Sequence, residues 1–257
     1  ISEYKIGNGI SLLIFAGIVS GIPGAIQQAF LTFDRSLVPT YIGFVILSIL
    51  IIAGVVFVNQ GERKIPVSYS KRIRGMKMYG GATSYLPLRV NQAGVIPIIF
   101  AISILLFPQF MAQIVSIFSA DLSLKLNDIV SKIFNNQIIY AIIYFVLVVV
   151  FTYFYTAVTF DPKEISKNLQ RSGGFIPGIR PGEPSGDFLS KLTKKITFFG
   201  AIFLGVVAVL PNLTQILTGI QILTIGGTAL LIVVSVALET MKQIDSQLVL
   251  REYEGFE

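Results

Sequence analysis

The side chains in this sequence that can do chemistry are mostly cations, and they gather in two stretches. Lys71-Arg72-Ile73-Arg74-Gly75-Met76-Lys77 crowds four charges together, and Phe175-Ile176-Pro177-Gly178-Ile179-Arg180-Pro181-Gly182 sets one arginine between two Pro-Gly turns. Such groups donate charge-assisted hydrogen bonds to carboxylates and phosphates, the chemistry of docking rather than of bond making. Arg180 stands apart from the looser lysines. Tight turns on either side hold it in place, and a planar guanidinium makes a two-pronged contact that lysine cannot. The usual catalytic groups are missing. The absence of Cys excludes disulfides, thiolate chemistry and iron–sulfur ligation, and the absence of His removes the commonest haem and zinc ligand. It also removes the side chain best suited to proton transfer near neutral pH. No glycine loop followed by Lys-Ser/Thr is present to hold a nucleotide phosphate, so any driving energy must come from a partner. The residues predict no enzyme and no cofactor.

The elements that carry these cations are dictated by composition. Of 257 residues 53% are hydrophobic and only 13% charged, where a soluble domain has about 25% charged. A hydrocarbon core about 30 Å thick takes about 20 apolar helical residues. Six blocks free of Asp, Glu, Lys and Arg meet that need: 10–26, 41–58, 93–111, 138–160, 196–213 and 220–238. Backbone polar groups in lipid must be satisfied within the segment, so each block is expected to be a helix. The expected fold is all-α, a polytopic transmembrane helix bundle with six spans here, and an even number of spans puts both termini on one side. The connections on that side, 59–92 and 161–195 with the tail 241–257, account with Lys5 for 17 basic residues. The other side has three, Arg35, Lys125 and Lys132. Positive residues stay inside, so both termini and the two large basic loops are expected in the cytoplasm.

Several spans are interrupted. Gly17, Gly21, Pro23 and Gly24 lie in the first, the third carries Pro97 and is expected to end near Pro108, and the last starts near Gly226-Gly227. Glycine lets helices approach closely, as in the small-xxx-small spacing of Gly17 and Gly21, and proline frees a carbonyl that neighbours must satisfy. In the first basic loop, Ile65-Pro66-Val67-Ser68-Tyr69-Ser70 alternates as a strand does, and Gly80-Gly81 signals a turn. A protruding hairpin with a cationic tip is expected. The second loop opens with Asp161 as N-cap, Pro162 at the first helical position and Glu164 at N3. The helix should run to about Arg171 and stop at Gly173-Gly174. Between the third and fourth spans, Leu122, Leu126, Ile129, Val130 and Ile133 recur at helical spacing, which predicts an amphipathic helix lying in the interface. Basic loops of this kind set topology, bind anionic lipids or dock a cytosolic partner. Lipid binding needs charge without shape, so the rigid turns favour docking.

Gly7-Asn8-Gly9-Ile10-Ser11, Val90-Asn91-Gln92-Ala93-Gly94-Val95-Ile96-Pro97 and Phe175 through Gly182, with the ending Leu248-Val249-Leu250-Arg251-Glu252-Tyr253-Glu254-Gly255-Phe256, together resemble the SecY family. These are the large subunits of the bacterial protein-conducting channel. Members have ten spans, and this chain, which opens at Ile1 without an initiator Met, resembles the fifth to the tenth. The resemblance implies an hourglass of helices in the bacterial inner membrane, closed midway by a ring of aliphatic side chains. Ile14, Ile18, Ile99 and Ile232 match the ring positions that fall in this half, and Ile14 and Ile18, four apart, share a helical face. It further implies a side exit between the two halves, to which the third and fourth spans contribute, with Ser103 near the seam. The implied partners are small SecE-like and SecG-like membrane subunits, the SecA ATPase or a translating ribosome, secretory preproteins and anionic lipids. Lys71, Arg72, Arg74, Lys77 and Arg180 are then the docking residues. Two other functions compete. A secondary transporter would also use broken helices, although ion-coupled ones commonly hold ionisable residues in the membrane and these spans hold none. A non-transporting scaffold subunit would use the basic loops as docking plates alone.

Overall fold

The computed structural model describes residues 9–31, 38–69, 72–74, 77–79, 83–118, 120–218 and 222–254. In chain order its elements are α1 (Gly9–Leu31), α2 (Val38–Gln60), β1 (Glu62–Tyr69), β2 (Arg72–Arg74), β3 (Lys77–Tyr79), β4 (Thr83–Arg89), α3 (Ile96–Phe118), α4 (Ala120–Asn135), α5 (Gln137–Thr159), α6 (Pro162–Arg171), β5 (Gly174–Phe175), α7 (Glu183–Thr218) and α8 (Ile222–Glu254). The six apolar blocks fall in α1, α2, α3, α5, α7 and α8. By length and composition, four helical stretches among the described residues can cross a membrane: Tyr41–Gln60, Ile96–Phe118, Gln137–Arg171 and Glu183–Ile216. Gly9–Gly24 is a shorter apolar helix.

Helix ends depart from the apolar blocks at several points. First, α3 starts at Ile96 rather than 93, because Gly94 takes a left-handed φ of +62° and turns the chain. Pro97 therefore sits in the first helical turn, where no N–H is needed, and frees no carbonyl. Second, α3 continues through Pro108 to Phe118 instead of ending there. Third, α7 begins at Glu183, so the latter part of the expected 161–195 loop is helix, and α8 carries most of the expected 241–257 tail as helix to Glu254. Apolar composition marks where lipid can begin, whereas a helix runs on into polar sequence until a cap or turn residue ends it.

The chain divides into two compact units. One takes Ile1–Phe57, Gly94–Phe151 and Phe203–Glu257, the other Val58–Ala93 and Thr152–Ile202. In the first, Ile98, Ala101, Tyr144, Val148, Leu204, Ala208 and Val236 are among the residues of a close-packed apolar core. α1 packs on α8 there, and α4 lies against α3. The opposite faces are apolar and exposed, as at Phe107, Phe110 and Ile117 of α3 and Ile142, Val146 and Val150 of α5. Large apolar surfaces of that kind are stable against lipid and costly in water. The amphipathic helix is present as α4, shorter than the 112–136 connection because α3 takes its first residues. Val130 is buried and Lys132 bonds Asp128 at 2.7 Å on the exposed face. Leu122, Ile129 and Ile133 lie outside the residues whose side chains are described.

The second unit holds a three-stranded sheet in the order β4-β1-β5. β1 and β4 are antiparallel from Glu62↔Arg89 to Ser68↔Thr83, and β5 adds to β1 at Ser68↔Phe175 and Tyr69↔Gly174. Ile65 and Val67 point inward while Pro66 is exposed, the period of two expected of a half-buried strand. A proline is tolerated at 66 because β5 pairs only with the far end of β1, leaving one side of the strand unpaired there. Ile65, Leu88, Ile176 and Leu189 form the core of this unit, with Ile165, Leu169, Ile179 and Leu192 packed on it. Beyond β1 and β4 the hairpin is closed at its root. The Val90 N–H donates to the Gly61 carbonyl at 2.9 Å, and Asn91 Nδ2 donates to Asn59 Oδ1 at 2.8 Å.

Candidate functional site

The first candidate site lies in the apolar unit. Ile232 of α8 is 7% exposed and belongs to its core, and Ile14 and Ile18 of α1 and Ile99 of α3 are half-buried and pack against that same core. Three helices thus bring the four isoleucines to one cluster. The apolar blocks of these helices carry no ionisable side chain, so the cluster offers only shape and apolar surface. Ser103 is exposed on α3, one turn beyond Ile99, and its hydroxyl donates to the Ile99 carbonyl at 2.8 Å. That bond satisfies the serine locally. A Cβ added at Gly17 or Gly21 would meet nothing from other elements within 4 Å, so their small-xxx-small spacing makes no close helix contact among the described residues.

The second candidate site is the basic unit. Val58–Ala93 and Thr152–Ile202 hold 14 of the 20 Lys+Arg and only 5 of the 14 Asp+Glu, a local charge of +9 in a chain of +6. Strand β5, immediately ahead of the Pro-Gly turns, pairs with β1 of the hairpin, so one sheet ties the two basic loops together. Nothing in the sequence signalled this strand. Two residues are too few to show a period. Arg72 and Arg74 lie on β2 and Lys77 on β3, which pair as Arg72↔Tyr79 and Arg74↔Lys77. The side chains of these three lie outside the described residues, as does Lys71 altogether.

The segment bearing Arg180 is held from both sides. Asp161 caps α6, its Oδ1 accepting from the N–H groups of Lys163 at 2.9 Å and Glu164 at 3.3 Å. The helix ends at Arg171, and Gly173 turns the chain at φ +75°. Pro177-Gly178 forms a type II turn, with Gly178 at φ +83° and the Ile179 N–H donating to the Ile176 carbonyl at 3.1 Å. Ile176 is buried and Ile179 packs beside it. After Arg180 the chain turns again at Gly182, φ +96°, into the first turn of α7. Arg180 itself is exposed. The turns thus present an exposed arginine within a strongly basic unit.

The SecY family model matches residues 1–241. The protein translocase subunit SecY of Mycobacterium tuberculosis is 48% identical over 262 residues, covering all of this chain and 59% of that protein. The subunit of the same name from Thermotoga maritima is 45% identical over 257 residues, covering all of this chain and 57% of its own length. A solved structure of a protein-conducting channel superposes with a TM-score of 0.62 at 21% identity, over 95% of this chain and 60% of the other. The chain therefore spans somewhat more than half the length of the relatives it matches.

Proposed function

The chain belongs to the SecY family, and on that premise we propose that it forms part of the wall of a channel that passes unfolded secretory polypeptides across the bacterial inner membrane and releases apolar segments sideways into lipid. Ile14, Ile18, Ile99 and Ile232 are its share of the constriction. A narrow aliphatic ring expels water and so blocks hydrated ions, yet its side chains yield around an extended peptide. Charge-free apolar blocks suit such a conduit, because a cargo of any sequence meets no fixed ion there to bind. An apolar segment that reaches the side exit, with Ser103 near the seam, moves into lipid because that transfer is favourable.

The energy comes from a partner. The basic unit docks the SecA ATPase or a translating ribosome through Arg180 and the Lys71, Arg72, Arg74 and Lys77 stretch. The remaining wall is supplied by further spans and by SecE-like and SecG-like subunits, both termini of this chain face the cytoplasm, and anionic lipids screen the rim of the basic loops. The observation that carries this reading is the convergence of four isoleucines from three helices on one apolar cluster.

The test is electrical. In the assembled channel in a planar bilayer, replacing each of the four isoleucines with serine should raise resting ion conductance, because a hydroxyl lets water wet the constriction. If all four variants stay as tight as the unaltered channel, the constriction lies elsewhere.

A further inference from the structure

Two buried hydroxyls on different helices hold the backbone on which Arg180 stands. Ser185, in the first turn of α7, donates from Oγ to the carbonyl of Arg180 itself at 2.8 Å. Ser166, in the middle of α6, donates from Oγ to the carbonyl of Gly182 at 2.5 Å. Both serines are 3% exposed, so neither hydroxyl has water as an alternative partner. The Gly182 carbonyl also receives the backbone N–H groups of Ser185 and Gly186 at 3.1 and 3.2 Å. A Cβ added at Gly186 would lie 3.5 Å from the Lys163 Cα and the Ser166 Cβ, so α6 and the start of α7 approach closely there. A Cβ at Gly182 would meet only the movable end of the Gln170 side chain at 3.2 Å, so the second turn is fixed chiefly by its left-handed φ of +96°.

We infer that Ser166 and Ser185 are positioning residues for Arg180. They fix the peptide units at and just beyond the arginine, so that its guanidinium is offered in one direction and little ordering is left to be done when a partner's carboxylate or phosphate arrives. A two-pronged contact gains from such preorganisation, because both of its hydrogen bonds fail together when the fork is misaimed. The inference rests on Arg180 as a partner contact.

The assembled channel in proteoliposomes provides the test, with preprotein transport followed as a function of SecA concentration. Ser185→Ala should raise the half-saturating motor concentration about three- to tenfold, the weight of one hydrogen bond, with the maximal rate unchanged. Ser185→Thr keeps the hydroxyl and should restore the original value. In an Arg180→Ala background, Ser185→Ala should add nothing, since its effect passes through the arginine. The same factor in both backgrounds would overturn the inference, because the hydroxyl would then serve the fold alone. Ser166→Ala repeats the experiment through an independent bond, and failure of both alanine variants to accumulate in the membrane counts as the same refutation. If Arg180→Ala weakens the motor's action while both serine variants are silent, the positioning role falls and the docking role stands. If Arg180→Ala has no effect, both fall.

Discussion

Arg180 is exposed, and the backbone around it is committed to internal hydrogen bonds and to the apolar core beneath. On the proposed function, a guanidinium in that setting meets an anion of the docking partner. Arg180→Lys keeps the charge and loses the planar fork, so partner-driven export should fall about tenfold at unchanged protein abundance, as expected for losing one charge-assisted bond. Export kinetics in membranes carrying equal amounts of the two forms measure it, and an unchanged rate would reduce Arg180 to one charge among many. The isolation of Arg180 between its turns is legible in the residues themselves, because Pro-Gly has few conformations. Its bracing by Ser166 and Ser185 is not. A serine hydroxyl finds its carbonyl only after α6 and α7 have packed, and the separations of 16 and 5 residues follow no helical or strand period.

Glycines on α7 show how elements set the geometry of the basic unit. A Cβ added at Gly200 would lie 2.5 Å from the Val90 carbonyl oxygen, at the hydrogen-bonded root of the hairpin. Backbone oxygen cannot swing aside, so Gly200→Ala should destabilise by about 1–3 kcal/mol, the usual cost of overpacking. It should appear as a lower Tm in detergent and faster proteolysis of the hairpin. Gly205, further along the same helix and in the apolar unit, would meet the Phe145 ring at 2.7 Å and Val149 Cγ2 at 3.4 Å. Those neighbours are side chains, which yield more readily than a backbone oxygen, and alanine gains about 1 kcal/mol of helix propensity over glycine, so Gly205→Ala should lower Tm less than Gly200→Ala. Equal effects at the two sites would mean that Val90 does not set the packing of α7. Local signals served well here wherever one element decides its own form. The Asp161 cap, the β1 alternation at Ile65 and Val67, and the amphipathic α4 each follow from a few neighbouring side chains. The β5 pairing to β1, the late start of α3 and the length of α7 depend on contacts between distant segments or on a single left-handed glycine, which no periodicity reports.

Across the whole molecule, charge and apolarity are kept apart. The basic unit carries +9, and the rest of the chain carries a small net negative charge and the isoleucine cluster. If the proposed function holds, two properties, docking by the basic unit and closure by the isoleucines, should therefore respond to two different perturbations. Docking depends on charges that salt screens, with a Debye length of about 8 Å at physiological ionic strength and about 3 Å at 1 M. Closure of the constriction depends on water avoiding an aliphatic ring, which moderate salt does not weaken. Raising potassium chloride from low to molar concentration should thus raise the Kd of the motor for the assembled channel by an order of magnitude or more, as for other electrostatically steered contacts. Resting conductance, scaled to the bulk ion concentration, should stay flat over the same range. Vesicles of neutral lipid separate this from a lipid effect, because direct docking keeps its salt dependence there and attraction to anionic headgroups does not. A Kd insensitive to salt in neutral vesicles would mean that the basic sheet serves membrane topology, with docking carried by apolar contact. Serine at the isoleucine positions should reverse the pattern, opening a leak while leaving motor affinity and its salt slope as they were. That division would show that the seal and the docking surface are physically separable, as the segregated composition of the chain predicts.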